Sequence, residues 1–257
     1  MYVPVNREDS LYILDRAFEW ADKYELRILL SLFGLPGSQN GLASSGCTNF
    51  GTRWHEQENR VLSLSALATI ADRYGVRESL LGIEVMDRPS EILMQNENYF
   101  HLMAYYLHSY EVIRSRSSNA IIAFHEAILS NLSQWRNLYE EPTFFNVALD
   151  VHLYTSPEVS LLANYSQIIT STGTWASLVE TESTFNPIIV GEWSLVAKVG
   201  DISHVSRRIK QEFINAEQKA MSSAFGSFTW TWKVEYGLDD EDSLQKQLSD
   251  VNGLRLS

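Results

Sequence analysis

An α/β fold with a parallel sheet is the architecture this sequence predicts, and three observations predict it. Apolar runs of strand length alternate with segments of helical period from Leu11 to Lys233, the pattern of successive βα units. The runs are continuous rather than two-fold, as in Ile28-Leu29-Leu30 and Ile188-Ile189-Val190, which suits strands covered on both faces. The 257 residues are 45% hydrophobic, enough for one large core, so residues 1–257 read as a single domain. Two architectures fit, a (β/α)₈ barrel and a doubly wound sheet. No glycine-rich nucleotide loop follows any strand, which counts against the second.

Taken in order, Asp9 or Ser10 can cap a helix whose apolar face is Leu11, Leu14, Phe18 and Ala21, ending near Tyr24. A strand over 27–33 follows. Residues 34–54 form a long loop rich in Gly, Ser and Asn, and a loop of that length is either functional or an insertion. A helix over 56–74 presents Val61, Leu64, Leu67 and Ala71, and leads to a strand over 80–86. The aromatic-rich helix 98–114 is read as core, because large rings dominate buried area. Strands over 120–125 and 146–154, a helix over 157–170, a strand over 187–193, a helix over 203–222 and a strand over 225–233 complete the chain. Strands therefore fall near residues 30, 84, 123, 150, 190 and 229, about six where a closed barrel has eight.

A net charge of −12 and a pI near 4.9 argue against nucleic acid or an anionic membrane as partner. A neutral ligand fits better. Cys47 is the single cysteine, so no internal disulfide forms, and its default reading is a small buried side chain. No signal-peptide pattern and no membrane-length apolar run is visible. The sequons at Asn131 and Asn164 carry little weight. One acid stands out. Glu192 ends the apolar strand Ile188-Ile189-Val190 and is either an active-site carboxylate at a strand tip or an ordinary acid opening a solvated turn.

Five motifs then stand in order: Leu35-Pro36-Gly37-Ser38-Gln39-Asn40-Gly41, Gly82-Ile83-Glu84, Asp150-Val151-His152-Leu153-Tyr154, Val190-Gly191-Glu192-Trp193-Ser194 and Trp230-Thr231-Trp232-Lys233. Together they resemble glycoside hydrolase family 5, in its fungal-type exo-1,3-β-glucanase branch, from Leu11 to Glu235. The resemblance implies a (β/α)₈ TIM-barrel type fold and retaining cleavage of β-glucan. It matches the six visible strands to the family's third to eighth, and the first two find no counterpart ahead of Met1. We therefore expect an N-terminally truncated barrel whose strand edges, near residues 27–32 and 228–232, either pair with another chain in a homo-oligomer or are covered by the N-terminal residues. By the same resemblance Glu192 stands at the nucleophile, His152 and Tyr154 at the histidine and tyrosine that hold sugar and nucleophile, and Trp230 under the sugar at the cleavage point. Gln39 and Asn40 lie in the matching loop. The partner implied is a β-glucan or oligosaccharide, with no cofactor and no metal. Family members are mostly secreted or in the cell wall.

The chain also departs from the pattern. The family's Asp-Leu-His-Gly has become Ser31-Leu32-Phe33-Gly34, its Asn-Glu-Pro has become Asp87-Arg88-Pro89, and its second platform tryptophan falls on Asp240. Retaining cleavage needs two carboxyl groups about 5–5.5 Å apart, and Arg88 at the acid/base position stays charged and delivers no proton. It would pair with Glu192 instead. Asp87 stands at the family's asparagine position, turned away by strand alternation. The functional expectation is a β-glucanase-like protein with impaired catalysis. The alternative is a non-catalytic pseudoenzyme that binds glucan or a protein partner, in which Glu192, His152 and Tyr154 persist as a mutually satisfied buried polar group.

Overall fold

The computed structural model describes residues 7–46, 51–90, 93, 95–127, 132–137, 139, 142–154, 165–194 and 207–231. Cys47, Trp232, Lys233, Asp240 and the asparagines of both sequons lie outside them. The described elements are α1 (Arg7–Lys23), β1 (Ile28–Ser31), α2 (Gln57–Tyr74), β2 (Leu80–Glu84), α3 (Asn96–Arg114), β3 (Ile121–His125), β4 (Val147–Leu153), α4 (Tyr165–Glu182), β5 (Ile188–Trp193), α5 (Arg207–Met221) and β6 (Gly226–Thr229). Short 3₁₀ turns occupy Ala43–Ser45 and Leu132–Trp135. The sheet has six strands in the order β1-β2-β3-β4-β5-β6, and β1–β2, β2–β3, β4–β5 and β5–β6 pair in parallel. Strand order that follows chain order, with helices between, is the signature of consecutive βα units wound one way, as in a (β/α)₈ barrel. A doubly wound sheet would reverse direction at a switch point. The fold is thus the six-strand portion of a TIM-barrel type.

The chain divides into two compact units. The first comprises Met1–Leu129 with Phe144–Ala148, and the second Ser130–Thr143 with Leu149–Ser257.

In the first unit, α1 starts earlier than its expected cap, so Asp9 and Ser10 lie inside the helix. Its Phe18 and Ala21 are buried as expected, and Phe18 stacks on Tyr74 of α2 with centroids 4.3 Å apart. The buried stripe of α2 differs from the expected one. Val61 is 57% exposed, while Ser63, Leu67, Ala71 and Tyr74 face inward. The cause is Trp54, fully buried ahead of the helix, whose indole N–H donates to Ser63 Oγ at 3.2 Å while that hydroxyl donates to Asn59 O at 2.8 Å. A satisfied hydroxyl can be buried, and it turns the helix by part of a residue's arc. The aromatic stripe of α3 is core, as expected: Tyr105 and Tyr106 are buried, and their phenols donate to Val85 O and His125 O, both at 2.8 Å. These phenols satisfy carbonyls just where β2 and β3 end, tying α3 to the strand tips. Gly82 of β2 is required by close packing, since an added Cβ would meet Ile121 Cβ at 2.9 Å and overlap the Ile121 carbonyl.

In the second unit, α4 continues to Glu182, twelve residues beyond the expected stop at Thr170. Its inward positions are Thr172, Val179 and Glu182, too polar to register as an apolar period. Residues 157–164 of the expected helix lie outside the described residues. Helix α5 buries Phe213, Ile214, Glu217, Ala220 and Met221, so the acid Glu217 sits on its inner face, where it accepts a 3.0 Å hydrogen bond from Thr172 of α4. Glu182 is also buried and forms a two-point ion pair with Arg136 at 2.5 and 2.9 Å.

Candidate active site

In the first unit, the loop after β1 is built around Gln39. This side chain is fully buried. Its amide NH₂ donates to Phe33 O and to Asp87 O, both at 2.8 Å, and its Oε1 accepts from Leu35 N at 3.1 Å. Both amide hydrogens are consumed by backbone. Gln39 therefore holds the β1 loop to the segment after β2. Asn40 repeats the arrangement one residue on: its Nδ2 donates to Arg88 O at 2.9 Å and its Oδ1 accepts from Leu42 N at 2.9 Å. Two consecutive amides thus fix the backbone of Asp87 and Arg88. Asp87 N in turn donates to Leu32 O at 3.1 Å.

Asp87 and Arg88 do not lie on a strand. β2 ends at Glu84, and Arg88 has φ +40°, in the left-handed region. The strand-alternation argument that turned Asp87 away consequently does not apply; local turn geometry decides where each side chain goes. Asp87 is 1% exposed, Arg88 is half-buried, and Phe33 is 39% exposed. Two further buried acids, Glu84 at the end of β2 and Glu126 just after β3, received no role in the sequence reading. An acid at a strand's C-terminal end is the cue that could have drawn attention to them.

In the second unit, β4 and β5 bring four polar side chains together. Tyr154 OH donates to Glu192 Oε2 at 2.8 Å. His152 Nδ1 lies 3.4 Å from the same oxygen, and its Nε2 lies 3.3 Å from Asp150 Oδ2. Asp150 Oδ1 accepts from Gly191 N at 2.7 Å. The side chains of Asp150, His152 and Glu192 are 1%, 8% and 13% exposed, so the group is screened from water while Glu192 keeps some access. An imidazole within reach of two carboxylates forms an ion pair with each when protonated. Trp230 follows β6, half-exposed, and its backbone N–H donates to Trp193 O at 2.8 Å, which sets Trp230 beside the end of the strand that carries Glu192. The Trp230–Thr231 peptide is cis.

The residues named from the sequence thus fall into two sets, Phe33, Gln39, Asn40, Asp87 and Arg88 in one unit and His152, Tyr154, Glu192 and Trp230 in the other, each beside the C-terminal end of a strand. Asp150 and Gly191 were quoted only as motif letters. Their contacts depend on strand register, which the sequence does not display.

A (β/α)₈-type fold with a hydrogen-bonded glutamate at the end of a strand is shared by many enzyme classes, and comparison with known proteins narrows them. The chain is 26% identical over 278 residues to glucan 1,3-beta-glucosidase 1 of Schizosaccharomyces pombe, covering 94% of this chain and 67% of that protein. It is 29% identical over 199 residues to the sporulation-specific glucan 1,3-beta-glucosidase of Saccharomyces cerevisiae, covering 75% and 43%. Among solved structures, rutinosidase from Aspergillus niger superposes with a TM-score of 0.72 at 15% identity, covering 98% of this chain and 75% of that one. Endo-glycoceramidase II from Rhodococcus sp. gives 0.64 at 15%, covering 96% and 66%. No family model matches. The chain is a homologue of fungal glucan 1,3-β-glucosidases, as the motifs imply, and spans between 42% and 67% of the length of these curated relatives.

Proposed function

We propose that this protein is a β-glucan-directed relative of the glucan 1,3-β-glucosidases in which hydrolysis is impaired because Arg88 stands at the acid/base position. The observation that carries the proposal is a difference between two sites. Glu192 keeps the surroundings of a working nucleophile, with the Tyr154 phenol on its Oε2, whereas the acid/base position holds a guanidinium that cannot supply a proton. Losing general acid catalysis alone costs about 10²–10⁴-fold. Phe33 in place of a histidine removes a further polar contact from the sugar site. The named activity of the relatives supports a β-1,3-glucan or an oligosaccharide of it as ligand, and the half-exposed Trp230 supports a sugar-stacking surface.

A second reading is favoured by the same Arg88: a pseudoenzyme that binds glucan or a protein partner without cleaving. One experiment separates the two. Sugar release from laminarin is measured beside laminarin binding by calorimetry and turnover of a nitrophenyl β-glucoside, whose leaving group departs unprotonated. Slow aryl turnover with nearly inert laminarin supports the impaired enzyme. Binding without either turnover supports the pseudoenzyme. Laminarin cleavage at ordinary rates, of order 1–10³ per second, overturns both.

A further inference from the structure

We propose that Asp150 is a positioning residue for Glu192, acting by holding a β-bulge at Gly191; this rests on the reading of Glu192 as a nucleophile. The bulge is visible in the register. Asp150 pairs with Ile189 and Val151 with Val190, but His152 pairs with Glu192, so Gly191 is an extra residue in β5. The pairing with β6 shifts over the same stretch, between Val190 and Trp193. Side chains alternate along a strand, and one inserted residue reverses which face the next side chain takes. With no bulge, position 192 would share a face with Val190. With it, Glu192 shares a face with Asp150 and His152, where its Oε2 meets Tyr154 OH at 2.8 Å and His152 Nδ1 at 3.4 Å. The bulge is therefore what aims Glu192.

A bulged residue leaves the ladder, and its backbone N–H needs another acceptor. Asp150 supplies it: Oδ1 accepts from Gly191 N at 2.7 Å, a short charge-assisted bond. The same carboxylate explains why the residue is glycine. A Cβ at position 191 would overlap both carboxylate oxygens of Asp150, so any larger residue would expel the group that satisfies the bulge. The other oxygen, Oδ2, lies 3.3 Å from His152 Nε2. Asp150, 1% exposed, thus holds the backbone before Glu192 and lies against the imidazole beside it.

The test uses 2,4-dinitrophenyl 2-deoxy-2-fluoro-β-glucoside, which needs no acid. Glu192 Oε attacks the anomeric carbon, the C–O bond to dinitrophenolate breaks, and the phenolate leaves with the electron pair, giving an ester detected by peptide mass. Asp150→Ala is expected to lower the maximal labelling rate about 10²-fold, the scale of a misplacement near 1 Å, with the half-saturating concentration nearly unchanged. Asp150→Asn, which keeps an acceptor for Gly191, is expected to recover most of that rate. In parallel, ¹⁵N spectra are expected to show the Gly191 amide and the His152 ring nitrogens displaced in Asp150→Ala, with the Gly191 amide near its original place in Asp150→Asn. Unchanged labelling in Asp150→Ala, or Gly191 and His152 resonances that do not move, overturns the positioning role. If the unmodified protein takes no label while those resonances move as expected, the bulge is held by Asp150 but the nucleophile reading fails, and the proposal with it.

Discussion

Replacing Glu217 by Gln should make the protein more stable at neutral and alkaline pH, and the size of the gain follows from the burial of one carboxyl. Glu217 is 0% exposed on the inner face of α5. Burial pushes its carboxyl from 4.5 up to about 7, against the opposing effect of the hydrogen bond from Thr172. The folded state therefore binds this proton more tightly than the unfolded chain. For a group raised in this way, the stabilisation is fully present below the unfolded value and is lost as pH rises through the folded one. Its full extent, at 1.36 kcal/mol for each pKa unit, is about 3 kcal/mol, lost between roughly pH 4.5 and 7. Glutamine keeps an oxygen to accept from Thr172 and has no charged form, so it escapes the loss. Urea unfolding of both proteins from pH 4 to 8 reads the difference directly, since all other titrating groups are shared. We expect near-equal stability at pH 4 and an advantage of up to about 3 kcal/mol for Glu217→Gln at pH 8. A difference that does not change with pH, or a variant less stable at pH 8, would refute the reasoning.

On the proposed reading of Arg88 and Phe33, Arg88→Glu should raise activity by no more than about tenfold, below the usual general-acid contribution, with the gain appearing first on aryl β-glucosides. Adding Glu192→Gln should abolish it, and a gain that survives the double change places the chemistry elsewhere. Gly82→Ala forces a Cβ into the Ile121 backbone and side chain, so unfolding should show a loss of about 1–3 kcal/mol; an unchanged midpoint means that β2 and β3 separate easily. Among the described residues β1 pairs with β2 alone, and Trp20, Tyr24 and Leu26 beside it are 52%, 61% and 60% exposed. Sedimentation at rising protein concentration should therefore show self-association, and a monomer throughout would refute it.

Strands β2 to β5 are legible in the sequence because burial on both faces demands largely apolar runs, whereas β6, Gly226–Thr229, is half-buried or exposed and carries a single large apolar side chain. Helices were legible only where their inner face is apolar. α4 was cut short because Thr172 and Glu182 face inward, and α2 was rotated because Ser63 is buried under the Trp54 indole. In each case a hydrogen bond formed with a residue from another segment makes burial of a polar group possible, and period counting has no access to that bond. Glu217 was missed for the same reason: an acid on a helix reads as solvated until its neighbour across the helix pair is known.

The candidate site divides along the same line. Its place at a strand tip makes Glu192 a candidate, since a strand tip followed by a loop is where a polar side chain can be both held and reached, while His152, Tyr154 and Trp230 enter only through the resemblance of their motifs. How they are aimed is a matter of register. The sequence Val190-Gly191-Glu192 read as a regular strand puts Glu192 on the face of Val190, and nothing local reveals that Gly191 is an inserted residue. That follows only from pairing with β4, where the carboxylate of Asp150 occupies the space a side chain at 191 would need. A glycine and an aspartate 41 residues apart thus form one device. Gln39 shows the same limit: the resemblance places it in the sugar-site loop, and only the structure shows that it is completely buried and braces the segment carrying Arg88 through three backbone hydrogen bonds. A substitution at position 88 is therefore made on a backbone held by Gln39 and Asn40, whose side-chain amides donate to Asp87 O and Arg88 O.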